Sequence, residues 1–364
     1  MPSIRAGHEQ LLTVECGAQG LLCGTLVDDG GGARVDCGAC SHELTPVVGD
    51  FEQIAADRRY SDPPAGRFFA VQVEAPTRWL VLIEPDGTVT RLLEIGDRPI
   101  VSLIHRHVDG DPAFPVWMLD DQGTITIYQL RDRSLHRATA EELGFRARAL
   151  QWTNRRPVAE LCDPSQTDAC HLRGLLELEP EGPPTVRREI MMLEEDLAHA
   201  SIGWERDQVN ETVCWAFESD RRLRCTIDGT EVVWPPPASG VAADAFRYAE
   251  RRGLQIIDNT CTVYDIRSRD RARVPASDWS DCGAHKPFIM RNGCLVAVDL
   301  VESSRTRYRG VVCGVPDRIQ QIAVAPGYAA ILHSDVTAGT VTLVRSNLFG
   351  LLPEEFLQPS LERW

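Results

Sequence analysis

The residues best suited to chemistry lie in the stretch HRHVDGD, His105 to Asp111. Side chains at alternate positions of a β-strand share a face, so His105, His107 and Asp109 would point the same way. Two imidazoles and a carboxylate suit a first-row transition metal such as zinc. The spacing predicts a candidate metal site, although a polar strand end entering the turn DGDP explains the same residues without a metal.

The common catalytic motifs are absent from the sequence. It contains no G-x-S-x-G, no P-loop, no G-x-G-x-x-G after a strand and no H-E-x-x-H. We therefore favour a protein that is not an enzyme and that needs no cofactor. A metal-dependent hydrolase or lyase centred on HRHVDGD is the alternative.

The length and net charge of the chain limit the kinds of partner that it could bind. The chain has 364 residues, enough for a full-size core, and a net charge of -15. An acidic surface repels phosphate, which argues against a nucleic-acid partner. No apolar run approaches the roughly 20 residues of a transmembrane span. The first ten residues, MPSIRAGHEQ, lack the apolar region of a signal peptide, so we expect either a cytosolic protein or one whose leader has been removed.

The cysteines decide between these two locations. There are twelve, at positions Cys16, Cys23, Cys37, Cys40, Cys162, Cys170, Cys214, Cys225, Cys261, Cys282, Cys294 and Cys313. Only Cys37 and Cys40 have the C-x2-C spacing of a zinc knuckle. A mixed zinc site made from the first four cysteines, or with His42, is one interpretation.

Disulfide bonding is the interpretation that we prefer. The pairs Cys162–Cys170, Cys214–Cys225 and Cys294–Cys313 each flank a turn-like centre, and in a hairpin such positions bring Cβ atoms to about 4.5–5.5 Å. Cys261 and Cys282 form a less symmetric fourth pair. Because disulfides persist outside the reducing cytosol, we predict a secreted, periplasmic or cell-surface protein. Buried free thiols are the alternative.

The N-terminal stretch ECGAQGLLCGTLVDDGGGARVDCGAC resembles a short module of secreted myxobacterial proteins, C…CGT…DGCGG…CGxC. The resemblance covers about the first 45 residues and implies secretion, with no known chemistry. This chain lacks the central cysteine of DGCGG and has Gly30 to Gly32 there. Four cysteines remain, which suits two internal bridges.

An internal repeat follows the N-terminal stretch. Segments with an apolar run, a polar pair, a glycine and then a β-branched strand recur around Gly87, Gly123, Gly182, Gly229 and Gly339. Glycine at such a turn takes positive φ, and the threonine that follows Gly87, Gly123, Gly229 and Gly339 begins the next strand. Weaker turns at 267–270 and 302–305 bring the number to seven. Seven turns at a period of about 40–50 residues predict an all-β, seven-bladed β-propeller, with two β-sandwich domains as the alternative.

The predicted organisation has four parts. Residues 1–45 form the cysteine-rich module, 46–65 a linker or closing strand, 66–349 the propeller and 350–364 a tail. One internal stretch, Val186 to Ala200, has helical character because Ile190, Leu193 and Leu197 lie roughly on one face. Segments such as GRFFAVQV, beginning at Gly66, are candidate inner strands, one for each blade.

The function that this organisation favours is binding. A propeller without catalytic motifs would present a protein or carbohydrate ligand site at one face of the ring. A structural role in an envelope assembly is the further alternative.

Overall fold

The computed structural model describes the regular elements of the chain and some of the connections between them. The described ranges are residues 25–28, 33–36, 42–57, 66–105, 115–153, 156–162, 172–180, 182–204, 211–217, 222–227, 230–234, 246–250, 255–258, 262–265, 271–273, 288–291, 294–301, 305–313, 319–325, 328–333 and 339–346.

Nearly all described residues in regular structure are in strands, which confirms the predicted all-β class. The first half of the chain contains β1 (Thr25–Asp28), β2 (Ala33–Asp36), β3 (His42–Ala56), β4 (Phe68–Glu74), β5 (Thr77–Ile83), β6 (Val89–Gly96), β7 (Ile100–His105), β8 (Pro115–Asp120), β9 (Ile125–Gln129), β10 (Leu135–Ala138), α1 (Ala140–Leu143), β11 (Ala147–Thr153), β12 (Arg156–Cys162) and β13 (Leu172–Leu178). The second half contains β14 (Val186–Trp204), β15 (Glu211–Phe217), β16 (Leu223–Ile227), β17 (Thr230–Trp234), β18 (Phe246–Glu250), β19 (Gln255–Asp258), β20 (Thr262–Asp265), β21 (Arg271–Arg273), β22 (Phe288–Arg291), β23 (Cys294–Val301), β24 (Arg305–Cys313), β25 (Ile319–Ala325), β26 (Tyr328–His333) and β27 (Gly339–Ser346).

The described strands form five antiparallel sheets. Their orders are β25-β26-β27-β3-β4-β5-β6, β10-β9-β8-β7, β11-β12-β13-β14-β15-β16-β17, β18-β19-β20-β21, and β2-β1-β24-β23-β22. Most neighbours in a sheet are consecutive in the chain, as expected for hairpins joined by short turns.

Two long strands, β3 and β14, each pair with one neighbour in their first part and with another in their second part. The first part of β3 pairs with β27, the second part pairs with β4, and Phe51 pairs with both. β14 does the same between β13 and β15, with Leu197 as the shared residue. The early part of the chain thereby joins strands from its late part in one sheet.

The cores lie between successive groups of strands. One cluster packs β3 to β5 against β25 to β27, and includes Phe51 and Phe68. The next packs β4 and β5 against β7 to β9, and a third packs β8 and β9 against β11 to β13. Residues Val116–Leu119 of β8 and all of β9 are buried, because both faces of this sheet are covered. When neighbouring sheets cover both faces of a sheet, its solvent-exposed surface lies mainly at the two ends of its strands.

The hairpin predictions are confirmed where the structure describes the turn. Gly87, Gly123 and Gly182 have φ of +85°, +83° and +77°, and they lie between β5 and β6, β8 and β9, and β13 and β14. Positive φ is the conformation that favours glycine at these turns.

The helical expectation for Val186 to Ala200 is wrong, because this segment lies within strand β14. The spacing of Ile190, Leu193 and Leu197 satisfies a helical pattern locally, but the segment has a strand partner on β13 for its first part and on β15 for its last part. Tertiary pairing thus overrides a weak local propensity.

The N-terminal region contributes a hairpin to a sheet from the other end of the chain. β1 pairs with β2 from Thr25↔Asp36 to Asp28↔Ala33, and Leu26 of β1 pairs with Tyr308 of β24. The four cysteines of this region lie outside the described residues. In the described part of the chain, no helix has the length and hydropathy needed to cross a membrane.

Candidate functional site

His105, the first residue of the predicted metal site, lies at the end of β7 with its side chain buried. Its Nδ1 is 3.1 Å from the carbonyl oxygen of Pro115, and its Nε2 is 3.4 Å from Oδ1 of Asp57. The ring packs edge-on against Phe69, with 4.6 Å between the ring centroids. Both ring nitrogens therefore face protein oxygens.

Asp57 connects His105 to a third charged residue. Its other carboxylate oxygen lies 3.3 Å from Nε of Arg67, and only 1% of its side chain is exposed. A carboxylate in such a place requires compensating charge or hydrogen bonds, and Arg67 supplies positive charge. The cluster ties the end of β3 to the segment before β4 and to the end of β7.

This geometry bears on the metal hypothesis. A metal ligand uses a lone pair of neutral imidazole, so a metal on His105 would either replace the carbonyl of Pro115 at Nδ1 or bind at Nε2, which has no hydrogen-bond partner among the described residues and lies 3.4 Å from Asp57. Among the residues whose structure is described, no group of three His, Cys, Asp or Glu side chains is arranged to hold a metal. His107 and Asp109 lie outside the described residues, so the three-residue site stays a prediction.

Two of the predicted disulfide cysteines are buried in the described part of the chain, namely Cys162 at the end of β12 and Cys225 on β16. The disulfide pairs themselves stay a prediction. In the strand register Cys225 stands directly opposite Cys214, and Cys294 stands directly opposite Cys313. The remaining cysteines lie outside the described residues: Cys16, Cys23, Cys37, Cys40, Cys170, Cys261 and Cys282.

A feature that the sequence did not reveal recurs in several strands that begin a group of paired strands. We call β25, the second half of β3, β7 and β11 the lead strands. Each has a register shift at its first pairs, so that one residue is skipped in the ladder, and the second half of β14 has the same irregularity. The skipped residues are Gln320, Glu52, Val101, Arg148 and Ala198. Such β-bulges bend a strand and redirect a side chain.

Polar side chains join each lead strand to the next. Gln321 Oε1 of β25 accepts the N–H of Ile54 on β3 at 2.9 Å. Glu52 Oε1 of β3 accepts the N–H of Ile100 on β7 at 2.8 Å. These bonds satisfy backbone groups that would otherwise lack a partner at a sheet edge.

The third junction uses a hydroxyl. Ser102 Oγ of β7 accepts the N–H of Leu150 on β11 at 3.1 Å and donates to the carbonyl of Leu150 at 3.2 Å. The lead strands follow one another in the series β25, β3, β7 and β11. At each of the three junctions the accepting side chain lies on the earlier strand and the donating N–H lies on the later one.

Glu52 also anchors an arginine. Both of its carboxylate oxygens lie 2.9 Å from Nε of Arg78 on β5, and Arg78 in turn donates to the carbonyl of Asp97. The two side chains are 10% and 15% exposed. One carboxylate therefore holds β3, β5 and the segment leading into β7 together. The only sequence signal for these joints is a polar residue near the start of an otherwise apolar strand.

Comparisons with known proteins identify the fold and no more. No protein-family profile matches the chain, and no curated protein matches it. Among solved structures, the WD40 repeats of RRP9 are similar with a TM-score of 0.54 at 8% identity, covering 83% of this chain and 97% of that one. U3-55K has a TM-score of 0.53 at 8% identity, covering 83% and 98%.

A chain of the mitotic checkpoint complex is similar as well, with a TM-score of 0.50 at 11% identity, covering 82% of this chain and 92% of that one. Identities this low show the fold alone. The chain therefore has the all-β fold of WD40-type propellers.

Proposed function

We propose that this protein is a seven-bladed β-propeller that binds a protein or carbohydrate ligand without catalysis. The strand pairing supports seven groups of four. These are the second half of β3 with β4–β6, β7–β10, β11–β13 with the first half of β14, the second half of β14 with β15–β17, β18–β21, β22–β24 with β1, and β25–β27 with the first half of β3.

Contacts between the groups support a ring. β3 contacts both β25 and β7, β7 contacts β11, β14 contacts β18, and β18 contacts β23. Closure by β3 would pair an early strand with a late one in a single blade, which removes the exposed edges that an open array would have.

The observation that carries the binding function is the burial of the middle strands of a sheet on both faces. Because strands such as β8 and β9 are covered by their neighbours, the surface left for partners lies largely in the connections at the two ends of the strands. One of the similar chains was solved within a mitotic checkpoint complex, that is, within a protein assembly. We extend a binding role, with a protein as the first expectation and a carbohydrate as the second, to this chain.

A ligand screen tests this proposal. The purified, unreduced chain would be immobilised and exposed to a protein mixture from its natural surroundings and to a glycan array. We expect a saturable binder that is recovered unchanged. A screen that finds only turnover of a small substrate, with no stable complex, would overturn the binding function.

We further propose an oxidising location, outside the cytosol. The opposed register of Cys214 with Cys225 and of Cys294 with Cys313 supports it, because cysteines directly opposite on paired strands are placed to form a disulfide. The expected pairs are Cys162–Cys170, Cys214–Cys225, Cys261–Cys282 and Cys294–Cys313, with two bridges in the N-terminal module. Thiol titration of the unreduced, denatured protein should find few free sulfhydryls, and a majority of free thiols would contradict the export proposal.

The alternative function is a metal-dependent hydrolase or lyase at His105, His107 and Asp109. Elemental analysis of protein purified without chelator separates it from the binding function. A stoichiometric transition metal that is lost in His107→Ala would favour the enzyme. A purely structural role in an envelope assembly would instead require self-association at high protein concentration.

A further inference from the structure

An exposed surface near the start of β7 combines apolar side chains with carboxylates. Val48 is 89% exposed and Val101 is 42% exposed. The two valines belong to adjoining segments, because Glu52, a few residues after Val48, accepts the N–H of Ile100, which precedes Val101. Singly exposed aliphatic side chains are common on protein surfaces, so the two valines gain significance only from the charged residues beside them.

Backbone contacts extend this surface to two more segments. The N–H of Asp121 donates to the carbonyl of Pro99 at 3.0 Å. Arg146 donates to the carbonyl of Asp121 at 3.0 Å. We call residues 48–52, 97–101, 120–122 and 146 together the seam surface, since they run along the junctions between consecutive groups of strands.

The seam surface carries more carboxylates than arginines. Asp50 and Asp97 are exposed, whereas Asp120 lies 3.5 Å from Arg98. One carboxylate oxygen of Asp121 is buried and has no hydrogen-bond donor among the described residues. This local excess of negative charge lies on a chain whose net charge is -15, and complementary charge then favours a cationic partner.

The seam surface is also held rigidly. Glu52 accepts from Arg78 through both oxygens, and Arg78 donates to the carbonyl of Asp97. Residues fixed in this way lose little conformational entropy when a partner binds, which raises affinity for a given contact area.

We propose that the seam surface docks a protein segment in which basic residues alternate with aliphatic or aromatic ones. The apolar side chains of that segment cover Val48 and Val101, and its basic residues face Asp50 and Asp97. This inference rests on the proposed binding function and names the partner's chemistry. An anionic glycan or a nucleic acid has the wrong charge for this surface.

Fluorescence anisotropy with a defined probe tests the inference. The probe is a short fluorescein-labelled peptide of alternating lysine and leucine, compared with one peptide that has serine for leucine and another that has glutamate for lysine. On the full-length unreduced chain we expect saturable binding of the lysine–leucine peptide, and at least about tenfold weaker binding of the other two.

Paired variants locate the binding on the chain. Val48→Ser with Val101→Ser should weaken the lysine–leucine peptide by about tenfold. Asp50→Asn with Asp97→Asn should weaken it by a similar factor at low salt and reduce its salt dependence. Matched controls are Val186→Ser with Val233→Ser, whose valines are 43% and 46% exposed, and Glu189→Gln with Glu231→Gln. The control pairs should leave the affinity within about twofold of the parent.

The outcomes separate this inference from the proposed function. Equal losses in the seam variants and in the controls, or no loss in the seam variants, would overturn the seam surface. Failure of the lysine–leucine peptide to bind, while the ligand screen finds another binder, would overturn the partner's chemistry and leave the binding function standing. Failure of both the peptide and the screen would overturn the binding function as well.

Discussion

In the described part of the chain, three buried or half-buried polar side chains join neighbouring strands. Glu52, Ser102 and Gln321 each accept a backbone N–H from the next lead strand. Removing such an acceptor leaves a buried donor unpaired, and this costs more than losing the same bond in water. The joints are therefore expected to contribute strongly to stability even though each is a single contact.

Replacement of Glu52 tests how much one of these hydrogen-bonding side chains contributes to stability. In Glu52→Ala the N–H of Ile100 and the Nε–H of Arg78 both lose their acceptor, so we expect the free energy of unfolding to fall by about 2–4 kcal/mol. The matched control is Glu74→Ala, which removes the exposed pair with Arg91 and should cost no more than about 1 kcal/mol. Urea denaturation measures both variants. Equal losses would show that Glu52 acts as an ordinary surface charge.

Aspartates that close turns give the protein a defined acid sensitivity. Oδ1 of Asp86 accepts the N–H of Thr88, and Oδ1 of Asp132 accepts the N–H of Ser134, both at 2.9 Å. These hydrogen bonds hold the pKa of each aspartate below its usual range. A lowered pKa stabilises the folded chain fully above the ordinary value of about 3.9, and that contribution disappears as the pH falls through the lower folded value.

The double variant Asp86→Asn with Asp132→Asn keeps an acceptor oxygen at each turn but cannot titrate. We expect the parent to exceed the variant in urea midpoint at pH 6, and the difference to shrink as the pH falls from about 5 towards 2. Glu189→Gln, at an exposed position of β14, serves as control. A parent–variant difference that stays constant over this range would contradict the linkage.

Among the elements, β3 has the greatest influence because it pairs with strands from both ends of the chain. Gly49 lies between its two parts with φ of +137°, and a Cβ there would lie 2.7 Å from Nε2 of Gln72 and 3.2 Å from the ring of Phe51. Few non-glycine residues adopt such a φ. Gly49 therefore allows one strand to turn from β27 towards β4.

Gly49→Ala should destabilise the chain through both backbone strain and crowding. Gly96→Ala is the matched control, because Gly96 has φ of +123° and open space where its Cβ would be. We expect Gly96→Ala to lower the free energy of unfolding by about 1–3 kcal/mol and Gly49→Ala to lower it further. Thermal unfolding followed by circular dichroism measures the two. A Gly49→Ala variant no less stable than Gly96→Ala would argue against a crowded pivot.

Element prediction from the sequence succeeded where local chemistry decides the structure. Turns at Gly87, Gly123 and Gly182 follow from the backbone preference of glycine, which acts within four residues. Their alignment as one repeat was less accurate. The Gly87 turn precedes β6, the last strand of its sheet, whereas the Gly123 turn joins the two middle strands of β7–β10.

The features that the sequence did not predict correctly depend on contacts between residues that are far apart in the chain. GRFFAVQV was expected to lead a blade, but β4 lies second in its group, after the Phe51–Ala56 part of β3. The skipped residues of the lead strands, such as Glu52 and Val101, are visible only once the register is known. The surroundings of His105 likewise required Asp57, which lies far away in the sequence.

At the scale of the molecule, the proposed disulfides outside the N-terminal module all lie in one part of the chain. Residues 41–161 contain no cysteine, and β4, β5, β8 and β9 there pack into continuous apolar clusters. The eight cysteines after the N-terminal module all lie between 162 and 313. Residues 41–161 and residues 162–313 should therefore respond differently to reduction of the disulfides.

Hydrogen exchange with and without a phosphine reductant tests this division. Each bridge contributes about 2–4 kcal/mol, so reduction should lower amide protection in β15, β16, β23 and β24. Protection in β4, β5, β8 and β9 should change little and serves as the internal control. A uniform loss of amide protection over residues 41–161 and 162–313 would contradict this prediction.

The most direct measurement is a crystal structure of the unreduced, full-length protein. It should contain seven four-stranded units around one axis, with the two parts of β3 in the last and first units. Two separate sandwiches, an open array, or a different number of units would contradict the closed ring on which the binding function depends.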